Sequence, residues 1–104
     1  MLRQSYTMKL KPGFESEYKK RHDEIWPELS KALREAGVSD FSIFLDERTL
    51  TLFAFRKIGD AEKFAALPRL TIVRKWWDYM SPLMEVNPDN SPKEWPLREV
   101  FHLD

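Results

Sequence analysis

The sequence predicts an α+β domain in which helices cover one face of a four-stranded antiparallel sheet. Three observations lead to this fold class. The indicated elements follow the order strand, helix, strand, strand, helix, strand, which is the split βαβ pattern. A polar link at 46–48 is short enough to join the two central strands as a hairpin. The long first helical segment is apolar on one side and charged on the other, as a helix that covers a sheet should be.

The first two elements are a strand and a long helix. Apolar and polar side chains alternate from Leu2 to Leu10, which predicts a strand with one mostly buried face. After a Pro-Gly pair, apolar residues recur every three or four positions from Phe14 to Ala36, and Gly37 can supply the left-handed residue that ends a helix. Because Pro27 has no N–H group, we expect a kink there, or a short break with Pro27 in the first turn of a second segment.

The rest of the chain is divided by its periodicity and by its Gly, Pro, Asn and Asp residues. The predicted elements are strands at Phe41–Leu45 and Leu50–Ile58, a short helix at Ala61–Leu67 with Asp60 as N-cap, a helix at Leu70–Met84, a proline-rich loop at Asn87–Pro92 and a last strand at Leu97–Leu103. This order is the ferredoxin-like arrangement. Its helices cannot cover the second face of the sheet. The strands offer mixed side chains for that face, including Phe44, Phe53, Phe55 and Val100. We therefore expect a homodimer that packs sheet to sheet or edge to edge.

Composition excludes several classes of function. A chain of 104 residues is one domain, residues 1–104. It contains no cysteine, which removes disulfide scaffolds, thiolate zinc sites and cysteine nucleophiles and fits a reducing compartment. Seventeen basic residues balance seventeen acidic ones, so neither nucleic acid nor an anionic membrane is an expected partner. We find no signal peptide and no membrane-spanning run. With two histidines and three scattered glycines, we expect no metal site, no phosphate loop and no cofactor.

Acid–base chemistry is what the remaining residues can perform. His22 titrates near neutrality, and Tyr18 lies one turn before it on the inner helix face, so the pair could line a polar pocket. A hydrogen-bonded core histidine beside a core tyrosine is the competing interpretation. Trp76 and Trp77 diverge by about 100° on a helix, so both cannot face one core; lining a sugar-binding cleft and packing at the core edge both stay open. The Asn87–Asn90 part of the loop offers amides and one carboxylate, either to bind hydroxyls or to cap its own turn.

Five segments, in order and spacing, resemble the L-rhamnose mutarotase family: Lys20–His22, Ile25–Leu29, Ile43–Asp46, Lys75–Met80 and Asn87–Pro92. The resemblance covers essentially the whole chain, and the paired tryptophans together with the proline loop make it specific. It implies a small cytoplasmic, dimeric α+β barrel protein of the ferredoxin-like type. It also implies an isomerase that interconverts the α and β anomers of free L-rhamnose without a cofactor.

The resemblance also implies roles for individual residues. His22 matches the proton donor of the family, and Tyr18, Trp76 and Trp77 match positions that contact the sugar. Phe41 stands where the family has a sugar-contacting tyrosine, so its ring can pack on the sugar but one hydrogen bond is missing or comes from elsewhere. The base is not identified; Asp89 is one candidate and a bound water is its competitor.

Two alternative functions fit the same scaffold. One is a small dimeric ferredoxin-like oxygenase acting on quinone-like substrates, for which an aromatic pocket is equally suited. The other is a non-catalytic sugar-binding module, which would bind rhamnose and leave its anomer exchange at the background rate. Fold alone does not choose between them.

Overall fold

The computed structural model describes all residues from 1 to 104, and its four strands form one antiparallel sheet. The strands are β1 (Leu2–Lys9), β2 (Val38–Asp46), β3 (Thr51–Ile58) and β4 (Trp95–Leu97). Their order across the sheet is β2-β3-β1-β4, and every neighbouring pair is antiparallel. The predicted ferredoxin-like α+β fold is therefore confirmed.

Four helices lie on one face of this sheet: α1 (Glu15–Asp23), α2 (Pro27–Glu35), α3 (Ala61–Ala66) and α4 (Thr71–Met80). The core between the sheet and the helices has two parts. One part packs β1 and β3 against Tyr18 of α1 and Met80 of α4, and the other packs Leu29 of α2 against Val73 of α4. None of the helices is long and apolar enough to cross a membrane.

The first helical segment is two helices, not one. The chain leaves helical geometry at Trp26, whose ψ is 130°, and Pro27 occupies the first turn of α2. At that position its missing N–H has no partner to lose, and its fixed φ suits the helix. Of the two predicted outcomes at Pro27, the break is the one that occurs. Gly37 follows α2 with a φ of +82° and donates its N–H to the carbonyl of Arg34 at 2.9 Å, so it caps the helix as predicted.

The predicted last strand at Leu97–Leu103 is wrong. β4 is Trp95–Leu97, which pairs with β1 from Thr7 back to Ser5, and residues 98–104 form no regular structure. The apolar side chains after β4 have nothing in this chain to pack against, since Phe101 is 78% exposed and Leu103 is 80% exposed. Their alternation therefore does not report a strand paired within the protomer.

Two other predicted boundaries shift for local reasons. The helix predicted at Leu70–Met84 ends at Met80 and continues as a 3-10 turn at Ser81–Leu83, because Pro82 cannot donate the next helical hydrogen bond. β2 begins three residues before its predicted start, at Val38, and its register with β3 shifts between Ser39 and Ser42. Asp40, inside that irregularity, has a φ of +47°. This irregularity in the pairing hid the true start of the strand from its sequence pattern.

Candidate active site

The six side chains singled out from the sequence all line one cleft between the sheet and the helices. Its wall includes His22 and Tyr18 of α1, Phe41 of β2, Trp76 and Trp77 of α4, and Asp89 of the proline-rich loop. The cleft measures about 1750 Å³. Small-molecule sites commonly measure about 300–1,000 Å³, so a single small ligand fills only part of this space.

His22 lies in the last turn of α1, and only one of its two ring nitrogens forms a hydrogen bond within the protein. Its Nδ1 is 3.1 Å from the backbone carbonyl oxygen of Tyr18. Because a carbonyl only accepts, Nδ1 carries the hydrogen and donates it, which leaves the lone pair of the neutral imidazole on Nε2. Nε2 has no hydrogen-bond partner in the protein. Burial lowers the pKa of His22, although the Tyr18 carbonyl and Asp23 favour the charged form.

The ring of Tyr18 packs against the imidazole of His22. The two ring centroids are 4.4 Å apart, and Tyr18 is only 8% exposed. Its hydroxyl makes no hydrogen bond within the protein, yet it is not sealed from solvent, so it is free to meet a ligand in the cleft. Burial, with a smaller contribution from Tyr6, raises the pKa of Tyr18 far above its ordinary value. The phenol therefore stays protonated and can donate or accept a hydrogen bond.

An aromatic cluster closes the other side of His22. The Trp76 ring meets the imidazole edge-on at 5.4 Å and meets the ring of Trp26 edge-on at 5.0 Å. Tyr79 lies against both indoles, at 5.2 Å from Trp26 and 5.7 Å from Trp76. Trp76 and Trp77 both pack against the apolar cluster around Leu29, and Trp76 also packs against the cluster that contains Tyr18 and Met80. Both indoles line the cleft.

Sequence reasoning missed a polar group on the floor of the cleft, centred on Arg56 of β3. Its guanidinium donates from Nε to Gln4 Oε1 at 2.7 Å and from Nη1 to the Tyr6 hydroxyl at 2.8 Å. It also lies over the ring of Tyr6 at 4.4 Å and over the ring of Phe64 at 4.6 Å. Burial raises the pKa of Tyr6 to about 12. The sequence gives little signal for this group, because β3 carries apolar side chains on both of its faces.

The proline-rich loop largely satisfies its own polar groups. The Asn87 side chain donates to the Ser91 hydroxyl at 3.0 Å, and the Asn90 side chain donates to the Asp78 carboxylate of α4 at 3.0 Å. Asp89 accepts from both the N–H and the hydroxyl of Ser91, at 3.0 Å and 2.5 Å, and these bonds lower its pKa. A carboxylate stabilised in this way has a weakened affinity for protons, so Asp89 is poorly suited to act as a base at neutral pH.

The chemistry of these groups is proton transfer and hydroxyl binding. No three His, Asp or Glu side chains come together in a way that could hold a metal ion. The cleft instead combines a neutral imidazole with an open nitrogen, a protonated phenol, indole walls and a guanidinium. Sugars present a matching surface of apolar ring faces and hydroxyl groups.

Comparisons of sequence and of structure match this chain to one protein family over nearly its whole length. A family model described as L-rhamnose mutarotase matches residues 3–103. The L-rhamnose mutarotase of Bacteroides thetaiotaomicron is 55% identical over 104 residues, covering 100% of both chains. That of Flavobacterium johnsoniae is 54% identical over 103 residues, covering 99% of this chain and 96% of its own. The crystal structure of an L-rhamnose mutarotase from Formosa agariphila superposes with a TM-score of 0.93 at 49% identity, with 100% of both chains covered.

Proposed function

The chain belongs to the L-rhamnose mutarotase family, and from this premise we propose that it is an isomerase that interconverts the α and β anomers of L-rhamnose. The observation that carries the mechanism is the hydrogen bond from His22 Nδ1 to the Tyr18 carbonyl, which leaves Nε2 able to accept a proton. The family relationship does not favour a quinone-directed oxygenase. Because this His22 geometry suits proton transfer, catalysis is also favoured over a binding module.

Ring opening begins with His22 as a base. Neutral Nε2 accepts the proton of the anomeric hydroxyl, and the electron pair left on that oxygen forms the carbonyl double bond at C1. The bond between C1 and the ring oxygen breaks at the same time, and its electron pair goes to the ring oxygen. The imidazolium of His22 then donates its proton to that oxygen. One histidine thus serves as the predicted acid toward the ring oxygen and also as the base that the sequence left unidentified.

Reclosure repeats these steps in reverse. After rotation about the C1–C2 bond, Nε2 accepts the proton of the former ring hydroxyl as its oxygen attacks C1 from the other face. The electron pair of the C1 carbonyl moves to its oxygen, the imidazolium donates its proton to that oxygen to form the new anomeric hydroxyl, and His22 is neutral again. Atoms and charges balance without a cofactor, and a positioned acid–base group contributes roughly 10²–10⁴-fold.

The neighbouring side chains hold the sugar. We assign the free hydroxyl of Tyr18 to a hydrogen bond with the sugar beside the anomeric centre. Trp76 and Trp77 provide apolar walls that stack on the ring and exclude water, and Trp26 extends the wall that Trp76 forms. Phe41 supplies an apolar contact and no hydrogen bond. Asp89 stays a predicted contact, and its bonds to Ser91 make a binding role fit better than a basic one.

The working form we propose is a homodimer. The sheet face away from the helices carries Phe44, which is 70% exposed and lies opposite Phe53 in the β2–β3 register. On the same face Thr7, the β1 partner of Phe53, also pairs with Trp95 of β4, which is 45% exposed. An aromatic surface that crosses a whole sheet is typical of an interface, and a second copy of this chain is its proposed occupant. The cytoplasmic location, and the absence of nucleic acid and membrane partners, stay predictions.

The activity is tested by magnetisation exchange between the two anomers of L-rhamnose, measured by NMR saturation transfer with and without catalytic amounts of the protein. We expect exchange to accelerate in proportion to protein concentration. Binding of rhamnose, seen as line broadening or by calorimetry, with exchange at the background rate would identify the non-catalytic module instead.

A further inference from the structure

Arg56 is a charged residue on the side of β3 that otherwise contributes apolar side chains to the core. It lies in the inward register of β3, where the other side chains are Leu52, Ala54 and Ile58, exposed by 1%, 1% and 3%. Its partner across the β1–β3 ladder is Gln4, so the polar character extends over both strands. Charged groups turned toward a core are rare unless a partner compensates them. Arg56 forms no direct ion pair, although Glu94 of the cleft wall is close enough for the two charges to attract.

The guanidinium is nevertheless held firmly. Two of its five N–H groups donate to Gln4 and Tyr6, and the rings of Tyr6 and Phe64 lie against its plane. The ring of Phe41 is 5.7 Å from its centre. Three N–H groups make no hydrogen bond to the protein. A fixed, planar set of donors that faces a cleft without a protein acceptor is suited to acceptor oxygens of a ligand.

The position of Arg56 relative to His22 indicates which oxygens these are. Arg56 bonds to the Tyr6 hydroxyl, Tyr6 and Tyr18 belong to one buried cluster, and Tyr18 stacks on His22. Arg56 and His22 both line the cleft, at the two ends of this series. Arg56 and His22 make no contact with each other. A pyranose with its anomeric carbon at His22 would therefore present to Arg56 the hydroxyl groups on the opposite side of its ring.

We propose that Arg56 is a substrate-binding residue whose guanidinium donates hydrogen bonds to the sugar hydroxyls remote from the anomeric carbon, those on C3 and C4. This inference rests on the proposed function, because it assigns a further role within the same site. Arg56 also restores to the cleft a hydrogen-bond donor that Phe41 lacks. Its bonds to the sugar form equally in the ground state and during ring opening, so they govern affinity more than turnover.

The first test is the kinetics of R56M against R48M, measured as anomer exchange over a range of rhamnose concentrations. Arg48 carries the same charge on an exposed hairpin outside the cleft, so its replacement controls for net charge. We expect R56M to raise KM by about tenfold or more, as befits the loss of hydrogen bonds from a charged group, with kcat changed by less than about twofold. We expect R48M to match the wild type. An unchanged KM in R56M, or a fall in kcat alone, would overturn the proposal.

The second test separates binding from support of the fold. With 3-deoxy- and 4-deoxy-L-rhamnose as probes, the wild type should lose affinity for at least one of them, and R56M should bind that sugar and L-rhamnose alike. A residue that only supports the fold would leave this discrimination intact and lower the melting temperature, and that result would refute the inference. R56K, which keeps the charge but not the fork of donors, should show partial discrimination if R56M proves unstable. Should the wild type fail to accelerate rhamnose exchange at all, the proposed function itself fails; an active wild type with an unaltered R56M refutes only the role of Arg56.

Discussion

The surroundings of His22 shift the pKa of its imidazole in opposite directions. Burial beside Tyr18 and Trp76 disfavours the charged imidazolium, and the Tyr18 carbonyl at Nδ1 favours it. Burial is the larger influence, so the pKa lies below the ordinary value of 6.5 and the ring is neutral at pH 7. In the proposed mechanism, a neutral ring with a free Nε2 therefore begins the reaction as a base, and its acidic role follows only after it has taken a proton.

The pH profile follows from the direction of this shift. If the neutral form of His22 is the active one, as the proposed mechanism requires, kcat/KM should be flat near pH 7–8 and should fall as the pH drops through a pKa below 6.5. The measurement is protein-dependent anomer exchange after subtraction of the buffer rate at each pH. A rate that rises as the solution is acidified from pH 7 to pH 5 would show that the imidazolium is the form that begins the reaction.

The sequence predicted some of these residues and missed others for a physical reason. Tyr18 and His22 were found because helical spacing places them on one face, and Trp76 and Trp77 because neighbouring indoles must diverge. Arg56 was missed because a strand of mixed side chains does not show by itself which face is inward. Only the observed pairing, with Gln4 opposite Arg56, identifies that register.

At the scale of elements, the turn between α2 and β2 packs closely against the turn between β3 and α3. Gly37 has a φ of +82°, and its carbonyl accepts from the Gly59 N–H at 2.8 Å. A Cβ at position 37 would lie 2.9 Å from the backbone nitrogen of Asp60. This contact joins the start of β2 to the start of α3, and only glycine satisfies both its space and its backbone conformation.

Replacing Gly37 should therefore destabilise the fold more than replacing Gly13. Both glycines have a left-handed φ, which costs an alanine about 1 kcal/mol or more, but a Cβ at Gly13 meets nothing within 4 Å. We expect G37A to lower the free energy of unfolding by at least about 1 kcal/mol more than G13A, since backbone must shift to relieve its contact. Urea denaturation of the two variants measures the difference, and equal losses would mean that the close approach carries no energetic weight.

The sequence predicted the elements well where local signals decide and poorly where the partner of a segment decides. The pattern around Pro27 indicated a kink or a break, and Asp60 caps α3 by accepting from the Lys63 N–H at 3.0 Å. The end of the sheet was misplaced because alternation continues from Leu97 to Leu103 although β1 pairs only with Trp95–Leu97. A strand forms only where an adjacent strand is available for pairing, and the alternation within one segment does not show where that pairing ends.

For the whole molecule, the helix-covered face holds His22, Tyr18 and Arg56, and the opposite face carries the exposed Phe44 and Trp95, which also border the cleft. This division allows one chain to bind a small molecule on one side and a second chain on the other. The exposed tail at 98–104, with Phe101 and Leu103, adds apolar surface that a partner could also cover. Packing within this chain does not account for the apolar side chains that follow β4.

The dimer is tested by placing a charge on that face. F44E should convert the protein from dimer to monomer at micromolar concentration, because an unpaired carboxylate in an apolar interface is costly to desolvate. L70E is the matched control, since Leu70 is an exposed apolar residue on the side of the helices, 40% exposed, and should leave the dimer intact. Light scattering decides the mass of each variant. A monomeric wild type would rule out the dimer, and a dimeric F44E would place the interface elsewhere.

The central claim, that His22 transfers the proton in sugar ring opening, is tested most directly by NMR exchange of L-rhamnose anomers with H22A and H102A. His102 is the other histidine, part-exposed beside Asp104 in the tail, so its variant controls for the loss of an imidazole outside the cleft. We predict that H22A keeps its circular dichroism and melting behaviour and loses roughly 10²–10⁴-fold in exchange rate, while H102A keeps the wild-type rate. Exchange near the wild-type rate in a folded H22A would contradict the mechanism.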